Sequence, residues 1–324
     1  MKTEYTISWR TIFRLIIAGV SIFLIWKLAS IILMIIVAMM LASAFHPFVT
    51  RLEKFMPATL ASILVMVAMF IPIVLIFLAF IPNLISQFPE IVALLGKVLN
   101  NSIFLPEPLR SLDLTNYAQN IASYLLKSTP AVTSFLTRFV TIIFLSLYFL
   151  IDSRRLLRLF TGLVPDKREK KLLEIVDTLG AINGHYIRGN LLISVICGTV
   201  IFFGLFALRI PFAGPLALFA AVMDLLPLIG AVIGIIPAAI IGFALSPTIG
   251  FLVVALFLVY QQLENNVIAP NVYNRALSIS PALSFIAVIV GGALFGMIGA
   301  FISLPIAASI PTVVAYLKGN PWEE

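Results

Sequence analysis

Long apolar runs dominate the chain, and the polar positions that interrupt them mark where elements begin and end. A helix that crosses a membrane needs about 20 consecutive, mostly apolar residues. Residues 15–48 form one apolar run of 34 residues whose only Lys, Arg, Asp or Glu is Lys27, in "WKLAS". This is either one very long helix or two short ones joined by a tight turn. Further spans are predicted at 58–81, 132–151 and 190–208. Residues 83–130 are mixed. There, "ISQFPEIVALLGKVLNN" and "NYAQNIASYLLKS" place apolar residues at helical spacing, which predicts amphipathic helices lying on the membrane or on neighbouring subunits. Beyond Arg209 the spans become irregular. Residues 211–245 are apolar but contain Pro211, Pro215, Pro227 and Pro237. A shorter span covers 251–263, and 282–316 is apolar but broken by Gly291, Gly292, Gly296, Gly299 and Pro305.

Charge selects among the topologies this pattern allows. Loops rich in Lys and Arg stay in the cytoplasm, and "DSRRLLRLFTGLVPDKREKK" is the most basic stretch of the chain. With the N-terminus (Lys2, Arg10, Arg14) inside, two early helices put Arg51, Lys54 and this stretch inside as well. A single early helix puts the basic stretch outside. Two early helices are therefore expected, with both termini cytoplasmic. Segment 152–184 becomes a cytoplasmic basic helical segment, either a hairpin or a helix leading into the next span, and 83–130 an external amphipathic insert. With Arg209 outside and Arg275 and Lys318 inside, 211–245 and 282–316 must each cross an even number of times. Each is then a helical hairpin, fully spanning or re-entrant. Together they form a transport core, 211–316, within one membrane domain covering 1–324.

Composition agrees with this reading. The chain is 61% hydrophobic and 11% charged, against roughly 25% charged for a soluble domain. It is an all-α, polytopic membrane protein. The formal net charge of +7 is not a nucleic-acid signal, because seven of the Lys and Arg residues fall between Arg154 and Lys171, where they suit a cytoplasmic loop beside anionic lipid. Cys197 is the single cysteine, so no disulfide forms within the chain. His46 and His185 are far apart, and no metal site or cofactor is expected. The apolar stretch after Arg14 is too long for a cleaved signal peptide and reads as an uncleaved anchor.

The two irregular stretches resemble each other. "IGAVIGIIPAAII" begins at Ile229 and "IGAFISLPIAASI" at Ile298, and G-x-x-x-G occurs in both regions. Paired Gly/Pro-broken segments at corresponding positions point to a transporter's binding region.

Between Asp177 and Glu323 the only acids are Asp224 and Glu264. A charge at the bilayer centre costs about 2.5–3.5 kcal/mol on insertion scales, so such residues usually face a cavity, a partner or an ion path. Burial also favours the protonated form of a carboxylate, which suits a proton- or cation-coupled carrier. On an ideal helix Gln261, Glu264 and Asn265 share one face. The competing readings are a cytoplasmic interface for Glu264 and, for Asp224, an N-cap of the half-helix starting near Pro227. Asp152 reads as an interface residue paired locally.

The ordered set "DLLPLIGAVIGIIPAAI", "LENNVIAP" and "GGALFGMIGAFISLP" resembles the AI-2E family of bacterial transporters, over about residues 180–315. The resemblance implies about eight transmembrane helices, both ends cytoplasmic, in the inner membrane. It implies export of a small solute related to autoinducer-2, with sodium/proton exchange as the alternative. It also implies homo-oligomers, with a pentamer as the suggested form. The motif positions it carries over are Asp224, Pro227, Gly230, Gly234, Pro237, Glu264, Asn265, Pro270, Gly291, Gly292, Gly296, Gly299 and Pro305. Ala231 departs from the pattern, since relatives often have proline there. A non-transporting scaffold, anchoring partners through 152–184, is the alternative of another class. The chain has no His-Glu-x-x-His, Gly-x-Ser-x-Gly or nucleotide-binding loop, so no enzyme is expected. The partners expected are a small solute or ion and membrane lipid.

Overall fold

The computed structural model describes residues 9–71, 74, 129–161, 166–227, 229–273 and 280–318. The first helix, α1 (Trp9–Leu52), is a single rod of 44 residues. The expected tight turn at Lys27 is not there. No glycine or proline lies between Gly19 and Pro47, so nothing removes a backbone hydrogen bond or relaxes the helix. Lys27 is a good helix former, stays exposed, and holds its ammonium 6.0 Å from the centre of the Phe23 ring. At 1.5 Å per residue the rod is about 66 Å long, twice the roughly 30 Å of a hydrocarbon core. A straight rod crosses a bilayer at most once.

A short turn leads to α2 (Ala58–Ile71). The rest of the predicted 58–81 span, and the expected insert 83–130 up to residue 128, lie outside the described residues. The third helix, α3 (Thr129–Thr161), bends at Asp152 (φ −103°, ψ 15°), where the apolar span gives way to the basic stretch. The next, α4 (Asp166–Ala207), is 42 residues long. Of the two forms considered for the basic segment, residues 166–184 take the second and run straight into the next span.

The two irregular stretches are hairpins. The first consists of α5 (Ala213–Asp224) and α6 (Gly230–Leu245), with turn residues 225–227 and 229 between them. Their 12 and 16 residues reach about 18 and 24 Å, short of a full crossing each. Where a Cβ would stand on Gly234, the Ala220 Cα is 3.1 Å away, and one on Gly230 would collide with the Met223 carbonyl. These glycines let the arms touch backbone to backbone.

After the hairpin comes α7 (Pro247–Leu263). Its N-cap Ser246 accepts a hydrogen bond from the Ile249 N–H at 3.2 Å, and Pro247 opens the first turn. It continues through a π-helical segment, Glu264–Ile268, into α8 (Ala269–Tyr273). The last element, α9 (Pro281–Leu317), repeats the Ser-Pro start, with Ser280 capping Leu283.

Inside α9 the backbone breaks at Phe295 (φ −136°, ψ 15°) and Gly296 (φ 62°, ψ −147°). Residues on either side of the break then meet. A Cβ on Gly291 would collide with the Gly299 carbonyl and lie 2.8 Å from Ser303 Cβ. In a continuous helix, positions eight apart are about 12 Å apart, so the chain doubles back here. The second irregular stretch is thus also a hairpin. The two sequence copies, starting at Ile229 and Ile298, both sit at the opening of a return arm.

Three apolar clusters fill the interior, and α4 contributes to all of them. Cys197, Ile201 and Leu205 pack with α5, α6 and α7. Tyr186 and Ile187 pack with α1, α3 and the return arm of α9. Leu191 reaches the cluster of α1, α2 and α3. Close contact with α1 requires Gly184, whose Cβ would lie 2.8 Å from the Ser43 carbonyl, and Arg188 donates to the Ala44 carbonyl nearby at 2.9 Å.

Candidate functional site: two buried carboxylates around the central helix

Asp224 is the last residue of α5 and is only 8% exposed. It does not cap the following half-helix. That helix starts at Gly230, with Ile229 in the cap position and no side-chain capping bond. Asp224 instead stands at the carbonyl end of its own half-helix, where the dipole is negative and a cation is favoured. Pro227 lies in the turn immediately after it.

Glu264 opens the π segment. Asn266 Nδ2 donates to both the carbonyl and the Oε1 of Gln262 there, at 2.9 and 3.0 Å. Such side-chain bonds compete with the regular ladder, and one extra residue per turn rotates everything that follows. The ideal-helix stripe is therefore broken. Glu264 is half-buried, Gln261 is half-buried, and Asn265 turns to the exposed surface.

The two acids lie on separate elements, Asp224 at the end of α5 and Glu264 in the π segment. Each keeps one buried oxygen without a partner, Oδ2 of Asp224 and Oε2 of Glu264. Among the described residues no cationic side chain acts on either acid. A carboxylate buried in apolar surroundings without a cationic neighbour favours a compensating proton or cation.

Other polar groups on α4 and α7 were not singled out from the sequence. Cys197, on α4, and Tyr260, on α7, are buried in one apolar cluster, and the Tyr260 hydroxyl donates to the Ile193 carbonyl at 3.5 Å. One and two turns before Cys197 on α4 come Ser194, whose buried Oγ has no partner, and Asn190. Asn190 Nδ2 donates to the Leu225 carbonyl at 3.0 Å, and its Oδ1 accepts from the Tyr273 hydroxyl at 3.0 Å. The Tyr273 ring stacks on Tyr186, with centroids 5.9 Å apart, and Tyr186 donates to the Phe301 carbonyl at 3.3 Å. Side chains of α4 thus hold the turn of the first hairpin and the return arm of the second. The sequence does carry a signal for this stripe: Asn190, Ser194 and Cys197 are spaced four and three apart in an apolar span.

The glycine and proline positions divide. Gly230, Gly234, Gly291 and Gly299 are at close backbone contacts. Gly292 is not, since its nearest neighbour, Ala300 Cβ, is at an ordinary 3.8 Å, and Gly296 has open space but the positive φ of the turn. Pro305 is buried, Pro237 half-buried inside α6, and Pro270 exposed on α8.

Comparison with known proteins matches residues 12–319 to the AI-2E family transporter model. The chain belongs to the AI-2E transporter family. The match takes in the N-terminal half, where no specific motif stands out in the sequence. Among similar proteins, YueF of Bacillus subtilis is 27% identical over 308 residues, covering 85% of this chain and 81% of that protein. MT0215 of Mycobacterium tuberculosis is 26% identical over 341 residues, covering 98% and 92%. The AI-2 transport protein TqsA of Escherichia coli is 23% identical over 312 residues, covering 90% and 88%. An AI-2E protein with this all-helical, apolar architecture is a multi-pass bacterial membrane transporter. Among the described residues, 27–52, 169–207 and 247–273 are stretches long and apolar enough to cross, and 282–316 is as apolar but folds back at Gly296.

Proposed function

We propose that this AI-2E transporter exports a small polar solute across the bacterial inner membrane, coupled to a proton or cation that Asp224 and Glu264 hold in turn. The observation that carries this is the acid pair itself. Two carboxylates on separate elements, Asp224 buried and Glu264 half-buried, each keep a buried oxygen without a partner in an otherwise apolar region. A merely structural pair would be satisfied by capping bonds or by a cationic partner, and neither acid has one among the described residues. The similarity to an AI-2 transport protein supports a solute of autoinducer-2 type, a small, oxygen-rich molecule. In this reading Gln261, half-buried beside Glu264, and the exposed Asn265 offer amides to the solute. The Gly/Pro hairpins form the moving core of 211–316, and the short arms of α5 and α6 fit a re-entrant loop. The basic stretch 154–171 and the C-terminus face the cytoplasm. A homo-oligomer fits the many apolar side chains exposed on single protomers.

The test is flux in proteoliposomes at pH 6 to 8.5, about the range in which a buried carboxyl exchanges its proton. Asp224→Asn and Glu264→Gln keep shape and hydrogen bonding but cannot ionise. Each is expected to abolish pH-dependent solute efflux while the protein inserts normally. Wild-type flux with an unchanged pH profile in both variants rules the coupling role out. Sodium-dependent proton flux without solute efflux makes the protein an antiporter acting through the same pair.

A further inference from the structure

Both hairpins contain a backbone carbonyl that lacks its regular helical donor. In α9 the Phe301 carbonyl would accept from the N–H four residues on, but that residue is Pro305, which has none. In the first hairpin the Leu225 carbonyl lies in the turn, and the Ile229 N–H four residues on bonds the Pro227 carbonyl at 2.9 Å instead. Freed backbone groups are tolerated at membrane depth when another element satisfies them. One helix does so for both. On α4, Tyr186 donates to the Phe301 carbonyl at 3.3 Å, and Asn190 Nδ2 donates to the Leu225 carbonyl at 3.0 Å. The two donors are four residues apart on one face of α4, and are 1% and 5% exposed. Tyr273, from α8, joins them. Its hydroxyl donates to Asn190 Oδ1 at 3.0 Å, and its ring stacks on that of Tyr186, 10° from parallel. Gly189 makes room, since a Cβ there would stand 3.0 Å from the Tyr273 ring. A continuous row results, from the Leu225 carbonyl beside Asp224, through Asn190, Tyr273 and Tyr186, to the return arm of the second hairpin.

We infer that Asn190, Tyr273 and Tyr186 are positioning residues, a strut that fixes the turn bearing Asp224 against the return arm of the second hairpin, so that the two hairpins shift together. Its consequence for transport rests on the coupling role proposed for Asp224; the mechanical link does not. Asn190 is engaged at both ends of its amide, donating on one side and accepting on the other. A displacement of the Leu225 turn therefore pulls on Tyr273, and through the stacked rings on Tyr186 and Phe301. Both ends of the strut hold carbonyls that no regular helical bond takes up, so each hairpin relies on α4 at the place where its own backbone is weakest.

Hydrogen–deuterium exchange of the full chain in detergent reads the link, because coupling between two sites is reciprocal. Tyr186→Phe keeps the ring and removes only the bond to Phe301. It is expected to speed exchange about fivefold in the return arm, 297–304, and also in the turn after Asp224, to which Tyr186 is not bonded. Asn190→Ala, which loses bonds to the turn and to α8, is expected to speed exchange in 297–304 as well. Where Asn190→Ala folds poorly, Tyr273→Phe cuts the same row by one hydroxyl. Residues 58–71 of α2, outside the row, are expected to keep their rate. Faster exchange confined to the element each side chain bonds, or spread evenly to 58–71, overturns the strut. Proton flux is the second readout, in proteoliposomes with a trapped pH-sensitive dye and a clamped membrane potential. Tyr186→Phe and Asn190→Ala are each expected to slow it about fivefold, and the double variant no further than the slower single, since contacts in one network are not additive. Losses that multiply in the double variant make the two contacts independent and overturn the strut. Wild-type flux in Asp224→Asn removes the coupling role alone, and exchange still decides the strut.

Discussion

Residue chemistry here divides into what is conspicuous in an apolar sequence and what is not. Asp224 and Glu264 stand out because a carboxylate in a span is costly wherever it points. Cys197, Tyr260 and Asn190 do not, because thiols, phenols and single amides occur in ordinary spans; their importance depends on which helices they bridge. Asn190 is the clearest case. It joins α4 to the Leu225 carbonyl beside Asp224 and to Tyr273 on α8. Asn190→Ala strands a buried carbonyl and a phenol together, and an unsatisfied buried polar group costs about 1–3 kcal/mol. Tyr273→Phe strands only the Asn190 Oδ1. Thermal unfolding in detergent is expected to show Asn190→Ala as clearly destabilised and Tyr273→Phe as roughly half as affected. Equal, negligible shifts in both would mean that the bridge is not made.

Elements follow a different logic. Parity of charged loops required 211–245 and 282–316 to be hairpins, and both are, because helix-breaking residues sit where the chain must turn. The same reasoning failed for the first run of residues, where parity asked for a turn that no glycine or proline was present to make. Backbone chemistry at the site decides whether a helix breaks, and a lone lysine does not break one. The π segment was illegible for a related reason: an ideal helical period was assumed through "YQQLENN", and the Asn266–Gln262 bonds override it. Which glycine matters was only partly legible. Gly296 has φ 62° and ψ −147°, a region that is essentially glycine-only and costs about 1–3 kcal/mol for other residues. Gly291 faces backbone across the hairpin, while Gly292 does not. Gly291→Ala and Gly296→Ala are expected to lower folded yield several-fold, and Gly292→Ala to leave it within about a factor of two. Fluorescence-detected gel filtration of tagged protein reads all three. Similar yields for Gly291→Ala and Gly292→Ala would contradict the hairpin crossing.

The whole molecule is organised about α4, which enters all three apolar clusters and makes polar contacts with both hairpins. This arrangement sets how the chain threads the membrane. The basic stretch between Arg154 and Lys171 spans the end of α3 and the start of α4 and is expected in the cytoplasm by the bias of positive loops. Counting back, one crossing by α3 and one by the 58–81 span would put Arg51 and Lys54 in the cytoplasm too, which would suit their charge. The rod α1 then crosses once, and its 44 residues admit no return. The N-terminus is accordingly expected outside, opposite the C-terminus, although Arg10 and Arg14 alone would favour the inside. A cysteine added ahead of Met1 and a second at Lys170→Cys, each in a Cys197→Ser background, separate the cases with an impermeant maleimide on intact cells. The first is expected to label from outside and the second only after permeabilisation. Protection of both positions in intact cells would mean that α1 bends back near Lys27 once it is in lipid. The charge of three N-terminal basic residues would then outweigh the helical continuity of "WKLAS", and the first run would hold the two short helices that parity calls for.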